Sequence, residues 1–113
     1  MPILSQNIPV KIAFIAADGE PTTSDVEISE VSSNGATLLS HVSLSKGAKI
    51  GLAITSRDEC VSRIFLDVGL VSRPFFVLRT QATVLGSTQN TDGADEIRIR
   101  FTGNLRVTYA AGS

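Results

Sequence analysis

The sequence predicts an all-β domain, a small closed antiparallel barrel of six strands, and three observations carry that expectation. Apolar residues alternate with polar ones in short runs from near the start of the chain to near its end. Gly-containing turn signals separate these runs at close spacing, as they do in sandwiches and barrels. A single stretch, Arg57 to Ser72, carries helical spacing, so the helix–strand alternation of a parallel α/β sheet is missing.

The elements follow in order. Val10, Ile12 and Phe14 share one face of a first strand, with Lys11 and Ala13 on the other. Asp18-Gly19 suits a turn, because Gly tolerates positive φ. Val26 and Ile28 then alternate with Asp25, Glu27 and Ser29. Ser32-Ser33-Asn34-Gly35 interrupts that run as a turn or bulge: short polar side chains bond to nearby backbone, and a flexible Gly follows. A strand resumes over Ala36 to Leu39. Lys46-Gly47 marks the next turn, ahead of Ile50, Leu52 and Ile54 alternating with Lys49, Gly51 and Ala53. Val61, Ile64, Phe65 and Val68 fall at i, i+3, i+4 and i+7, which favours a short helix or turn near 57–68 followed by an extended piece, while Ile64-Phe65-Leu66 and Gly69-Leu70-Val71 read equally as an extra strand or hairpin. Two long runs come next, Phe75 to Val84 and Glu96 to Phe101, separated by a polar loop from Gly86 to Gly93. Leu105, Val107 and Tyr109 form a last short strand. Phe75-Phe76 straddles two faces, which places one ring where it can act as an exposed anchor.

At 113 residues the chain fits one domain spanning 1–113. Hydrophobic residues make up 42%, enough for a core without metal or disulfide support. The net charge is −1, with 10 basic residues against 11 acidic ones, which argues against broad nucleic-acid binding. The charge is unevenly spread: every Arg lies at or beyond Arg57, and Lys11, Lys46 and Lys49 are the basic residues before it. One cysteine, Cys60, rules out an internal disulfide and fits a reducing compartment; it is expected to be a buried or half-buried thiol. No apolar run reaches the ~18–20 residues of a membrane span. The opening Met1 to Gln6 does not read as a secretory leader, so the cytoplasm is the expected compartment.

No catalytic constellation emerges from the residues, and the chain is expected not to be an enzyme. No Ser sits in a nucleophile-elbow context, and one His, His41, with one Cys nineteen residues away is poor material for a metal site. Asp92, Asp95 and Glu96 lack the spacing of a calcium loop and read as a solvated turn. No Walker-type phosphate loop occurs, and no cofactor is expected.

The stretch Val26 to Leu39 resembles the signature of PilZ domains, which carry an Asp or Asn, any residue, Ser, two of any kind and Gly, usually followed by Ala. Glu30, Ser32, Gly35 and Ala36 occupy those places. The order of surrounding strands is similar over roughly Val10 to Gly103, and Arg57–Ser72 stands as an insertion relative to a compact member. The resemblance implies a six-stranded barrel acting in bacterial signalling. It also implies a cyclic di-GMP site in which Glu30, Ser32, Asn34 and Gly35 face a guanine.

Family members clamp the ligand's phosphates with an Arg-x-x-x-Arg stretch ahead of the first strand. Residues 1–9 here contain neither Arg nor Lys, and the acidic place holds Glu, one methylene longer. Charge-assisted hydrogen bonds contribute roughly 1.5–3 kcal/mol each, and each ~1.4 kcal/mol is tenfold in affinity. A missing clamp therefore removes most of a micromolar affinity. Arg98 and Arg100 alternate with Ile97 and Ile99 on a solvent-facing side and are the candidate phosphate contacts; Arg73 and Arg79 are further arginines that can take that part. The expectation is a degenerate PilZ-like adaptor whose partner is another bacterial protein, with no nucleic acid, no membrane span and self-association left open. A cyclic di-GMP receptor using other arginines is the alternative, and an unrelated β-sandwich or barrel binding module is the third.

Overall fold

A computed structural model describes residues 3–15, 19–89 and 93–109. Seven strands and one helix follow in the order β1 (Ile3–Ile15), β2 (Pro21–Val31), β3 (Gly35–Ser40), β4 (Lys49–Ser56), α1 (Glu59–Asp67), β5 (Phe76–Gln89), β6 (Asp95–Phe101) and β7 (Arg106–Tyr109). Six strands pair antiparallel in the order β4-β1-β2-β3-β6-β5, and β4 pairs with β5 to close the barrel. β7 is an extra strand alongside β5, with Phe76 opposite Tyr109 and Arg79 opposite Arg106.

Closure requires the strands to bend, and the sequence supplies irregularities where they do. The β2–β3 register shifts between Ile28 and Glu30, which turns Val31 inward three residues after Ile28; both are fully buried. The β5–β6 register shifts between Val84 and Gly86, and Leu85 at that shift is left exposed. The alternating apolar residues then meet inside. Ile12, Ile28, Leu38, Ile54, Leu78 and Ile97, one from each barrel strand, are at most 1% exposed.

Helix α1 begins where Asp58 accepts hydrogen bonds from the backbone N–H groups of Cys60 (2.7 Å) and Val61 (3.3 Å), with Glu59 adding negative charge in the first turn. It ends in a Schellman arrangement: Gly69 adopts φ +81°, its N–H donates to Leu66, and the Leu70 N–H donates to Phe65. Between these caps the helix lays Phe65 into the core, its ring 5.3 Å from that of Phe76.

Several expectations change here. The piece after the helix is not a strand: residues 68–75 are turns and bends, because Gly69 reverses the chain and Phe75 sits at φ +60°. Strand β5 continues through Gly86 to Gln89, where a loop is predicted, pairing Ser87 with Ile97 and Gln89 with Asp95. Cys60 is exposed, since it lies in the first turn of α1 on the side away from Phe65. Asp18 and Asp92 lie outside the described residues. Among the described residues no helix is long and apolar enough to cross a membrane.

Candidate functional site

The predicted motif forms the connection between β2 and β3. The Ser32 N–H donates to the Gly35 carbonyl (2.8 Å), and the Ser32 hydroxyl donates to Asn34 Oδ1 (2.8 Å). The Asn34 carbonyl accepts from the Phe101 N–H (2.9 Å), which ties the turn to the end of β6. A side chain at Gly35 would overlap the carbonyl oxygen of Ile99, so β3 starts too close to β6 for any residue but Gly. Ser32, the Asn34 side-chain oxygen and the Gly35 carbonyl, in residues that the family resemblance assigns to a ligand, are thus bonded within the turn.

The barrel register brings the candidate arginines beside this turn. Arg100 faces Gly35 and Arg98 faces Thr37, while Glu30 faces Thr37 from the other side. Glu30 and Arg98 therefore share a rung, two strand spacings or roughly 10 Å apart. Both arginines are exposed, as their alternation predicts. Arg98 leans toward β5: its Nη2 would meet a methyl group at Gly86 at 3.1 Å. Arg73 is placed elsewhere, its guanidinium carbon 5.1 Å from the ring centre of Tyr109. Phe76 is in the core and Phe75 is half-buried, so neither ring stands as a fully exposed anchor.

A second surface lies on the outside of the barrel over β4, a groove of about 570 Å³. Its floor is Ala13, Gly51 and Ala53, small residues at outward positions of β1 and β4. Lys11 stands on one wall, with Arg79 and Arg106 on the other. One rung runs through them: Lys11 faces Ala53, Ala53 faces Arg79, and Arg79 faces Arg106. Among the described residues, no carboxylate lines the groove. Asp25, the nearest acid on that rung, flanks Lys11 from β2, 3.8 Å from its Nζ, and both side chains are largely exposed. Of these cations, only Arg79 is singled out by sequence. The alternation Lys11/Ala13, Gly51/Ala53 and Arg79/Gln81 is visible there, but the register that joins the three strands is not.

Among the described residues, no three His, Cys, Asp or Glu side chains gather in a group able to hold a metal ion. Among the described residues, the one group clearly shifted in acidity is Tyr109. Hydrogen bonds from Ser72, whose N–H and hydroxyl both lie 2.9 Å from its oxygen, pull its hydroxyl below the ordinary value of 10.0, and Arg73 adds a smaller effect in the same direction. Comparison of the chain with family models, with curated proteins and with solved structures finds no match.

Proposed function

We propose that this chain is a non-enzymatic, PilZ-like regulatory or adaptor barrel of the bacterial cytoplasm, acting in signalling by protein–protein contact, with weak or no affinity for cyclic di-GMP. The observation that carries this reading is the hydrogen bonding of the β2–β3 turn. Ser32 bonds to Asn34 and Gly35, and the Gly35 position serves close packing against Ile99. Each has a structural use that needs no ligand, and a ligand that accepts the Ser32 proton would have to break the Ser32–Asn34 bond to do so.

A second reading keeps cyclic di-GMP, and one observation favours it. The register sets Arg100 against Gly35 and Arg98 against Thr37, so two permanently charged, planar side chains flank the motif. The distribution of charge weighs against it, because Glu30 shares the rung of Arg98 and Arg98 leans away toward Gly86.

Calorimetric titration with cyclic di-GMP, with cyclic di-AMP and GTP as controls, separates the two. The adaptor reading expects no saturable heat up to ~100 μM ligand. Saturation near ~1 μM, about −8 kcal/mol, selective for cyclic di-GMP, makes the chain a receptor and overturns the reading.

A further inference from the structure

The outer groove over β4 holds an arrangement that the barrel does not need for its own stability. Arg79 on β5 and Arg106 on β7 are directly opposite each other, and both are exposed. Like charges directly opposed on neighbouring strands destabilise a sheet. Across the small floor Lys11 adds a third positive charge on the same rung, and among the described residues no acid lies within the groove. Its exposed pairing with Asp25 at 3.8 Å is weak and leaves the Lys11 ammonium able to swing into the groove. A rung of three cations above a bare floor calls for an anionic occupant.

The shape narrows the choice. Gly51 and Ala53 leave the outside of β4 without long side chains, and the nearest neighbour of a methyl group built on Gly51 would be the Ala13 Cβ, 3.9 Å away. Backbone can therefore approach the strand closely. Among the described residues no aromatic ring lines the groove, so a nucleobase would have none to stack on. The net charge of −1 supplies no field for a nucleic acid.

The spacing suits a peptide. Neighbouring strands stand ~4.8 Å apart, so the rung from Lys11 through Arg79 to Arg106 spans roughly 14 Å. Side chains on one face of an extended chain repeat every ~6.8 Å, so acids at i, i+2 and i+4 cover the same length.

We propose that this groove receives an extended acidic segment of a partner protein, laid across β1, β4, β5 and β7, with Asp or Glu side chains at alternate positions meeting Lys11, Arg79 and Arg106. The inference rests on the adaptor reading above and names the chemistry of its partner. Gln81 and Asn104, also on the groove wall, supply amide groups for the segment's backbone.

The test is fluorescence anisotropy of the whole chain with a fluorescein-labelled octapeptide of alternating Glu and Ser, against a Gln/Ser peptide of the same length. Saturable binding of the acidic peptide alone is expected, weakened about tenfold or more in the double variant R79Q/R106Q. Lys11→Gln, on a separate strand, gives a smaller loss. Lys46→Gln removes the same charge from the turn before β4 and leaves binding unchanged. Thermal melts of each variant separate lost binding from lost folding: the altered side chains are all exposed, so no variant is expected to melt appreciably below the parent chain, and R79Q/R106Q, relieved of its opposed charges, melts at or above it.

Equal weakening by Lys46→Gln overturns the proposal in favour of general charge attraction. Tighter binding of an oligothymidylate at the same arginines overturns it in favour of nucleic acid. No binding of the acidic peptide at about 1 mM chain overturns the groove alone, because the cyclic di-GMP titration decides the adaptor reading separately.

Discussion

Gly35 stands with its bare Cα against the carbonyl of Ile99, so that a methyl group placed on it would overlap the oxygen. The contact is with backbone in the middle of β6, which cannot swing aside as a side chain would. Gly35→Ala is therefore expected to destabilise the barrel by about 1–3 kcal/mol, the usual cost of forcing extra volume into a packed site. Urea unfolding shows this as a lower midpoint with unchanged slope. Gly51→Ala is the contrasting case, since its nearest contact is 3.9 Å away, and its effect is expected within about 0.5 kcal/mol of zero. Equal stability of G35A and the parent chain would remove the packing explanation for this Gly.

Ser62 joins the helix to the barrel through its hydroxyl. Ser56 donates to the Asp58 carbonyl (3.1 Å), which leaves Ser62 to donate to Ser56 (2.7 Å) while it accepts from the Phe75 N–H (3.1 Å). Phe75 is the one non-Gly residue at positive φ among the described residues, and this bond helps hold it there. Ser62→Ala leaves the Phe75 N–H without its partner, at an expected cost of about 1–3 kcal/mol. The loss is read as a lower urea midpoint together with faster amide exchange at Phe75. Ser62→Ala with unchanged exchange there would show that Phe75 is held by its chain neighbours alone.

Tyr109 gives a spectroscopic handle, because the chain has one Tyr and no Trp. Its near-ultraviolet absorbance on titration with base is expected to rise with a midpoint below 10.0. Ser72→Ala moves that midpoint upward but not fully back, since the Ser72 N–H still donates; Arg73→Gln moves it less. The folded chain holds this proton less tightly than the unfolded chain does. The stability linked to the shift is therefore full only above the unfolded value, is lost as pH falls through the lowered folded value, and is nil at neutral pH. A midpoint at or above 10.0 would contradict the Ser72 contact.

The barrel core was legible because burial on one face imposes alternation: Ile50, Leu52 and Ile54 point in while Lys49, Gly51 and Ala53 point out. The helix was legible because Val61, Ile64, Phe65 and Val68 repeat at helical spacing, while the Asp58 cap that starts it was seen only in the structure. The end of β5 was not, because Ser87, Thr88 and Gln89 extend beyond the core and are all exposed, so no face imposes a pattern. The exposure of Cys60 depends on which way α1 rolls once Phe65 is buried, and spacing alone left that open. The surroundings of Gly35 were half-legible: the turn could be read from Ser32 to Gly35, but its contact with Ile99 depends on pairing across more than sixty positions of chain. The groove was the least legible feature, since Lys11, Ala53, Arg79 and Arg106 come from four strands and meet only through the register.

Whether the β2–β3 turn serves the barrel or cyclic di-GMP is decided by ¹H–¹⁵N correlation spectra recorded as the dinucleotide is added to ~100 μM, far above a micromolar dissociation constant. The amide signals of Asn34, Gly35, Arg98 and Arg100 are expected to stay where they are throughout. Saturable shifts clustered on those four residues would contradict that expectation and identify the turn and the paired arginines of β6 as a working ligand site.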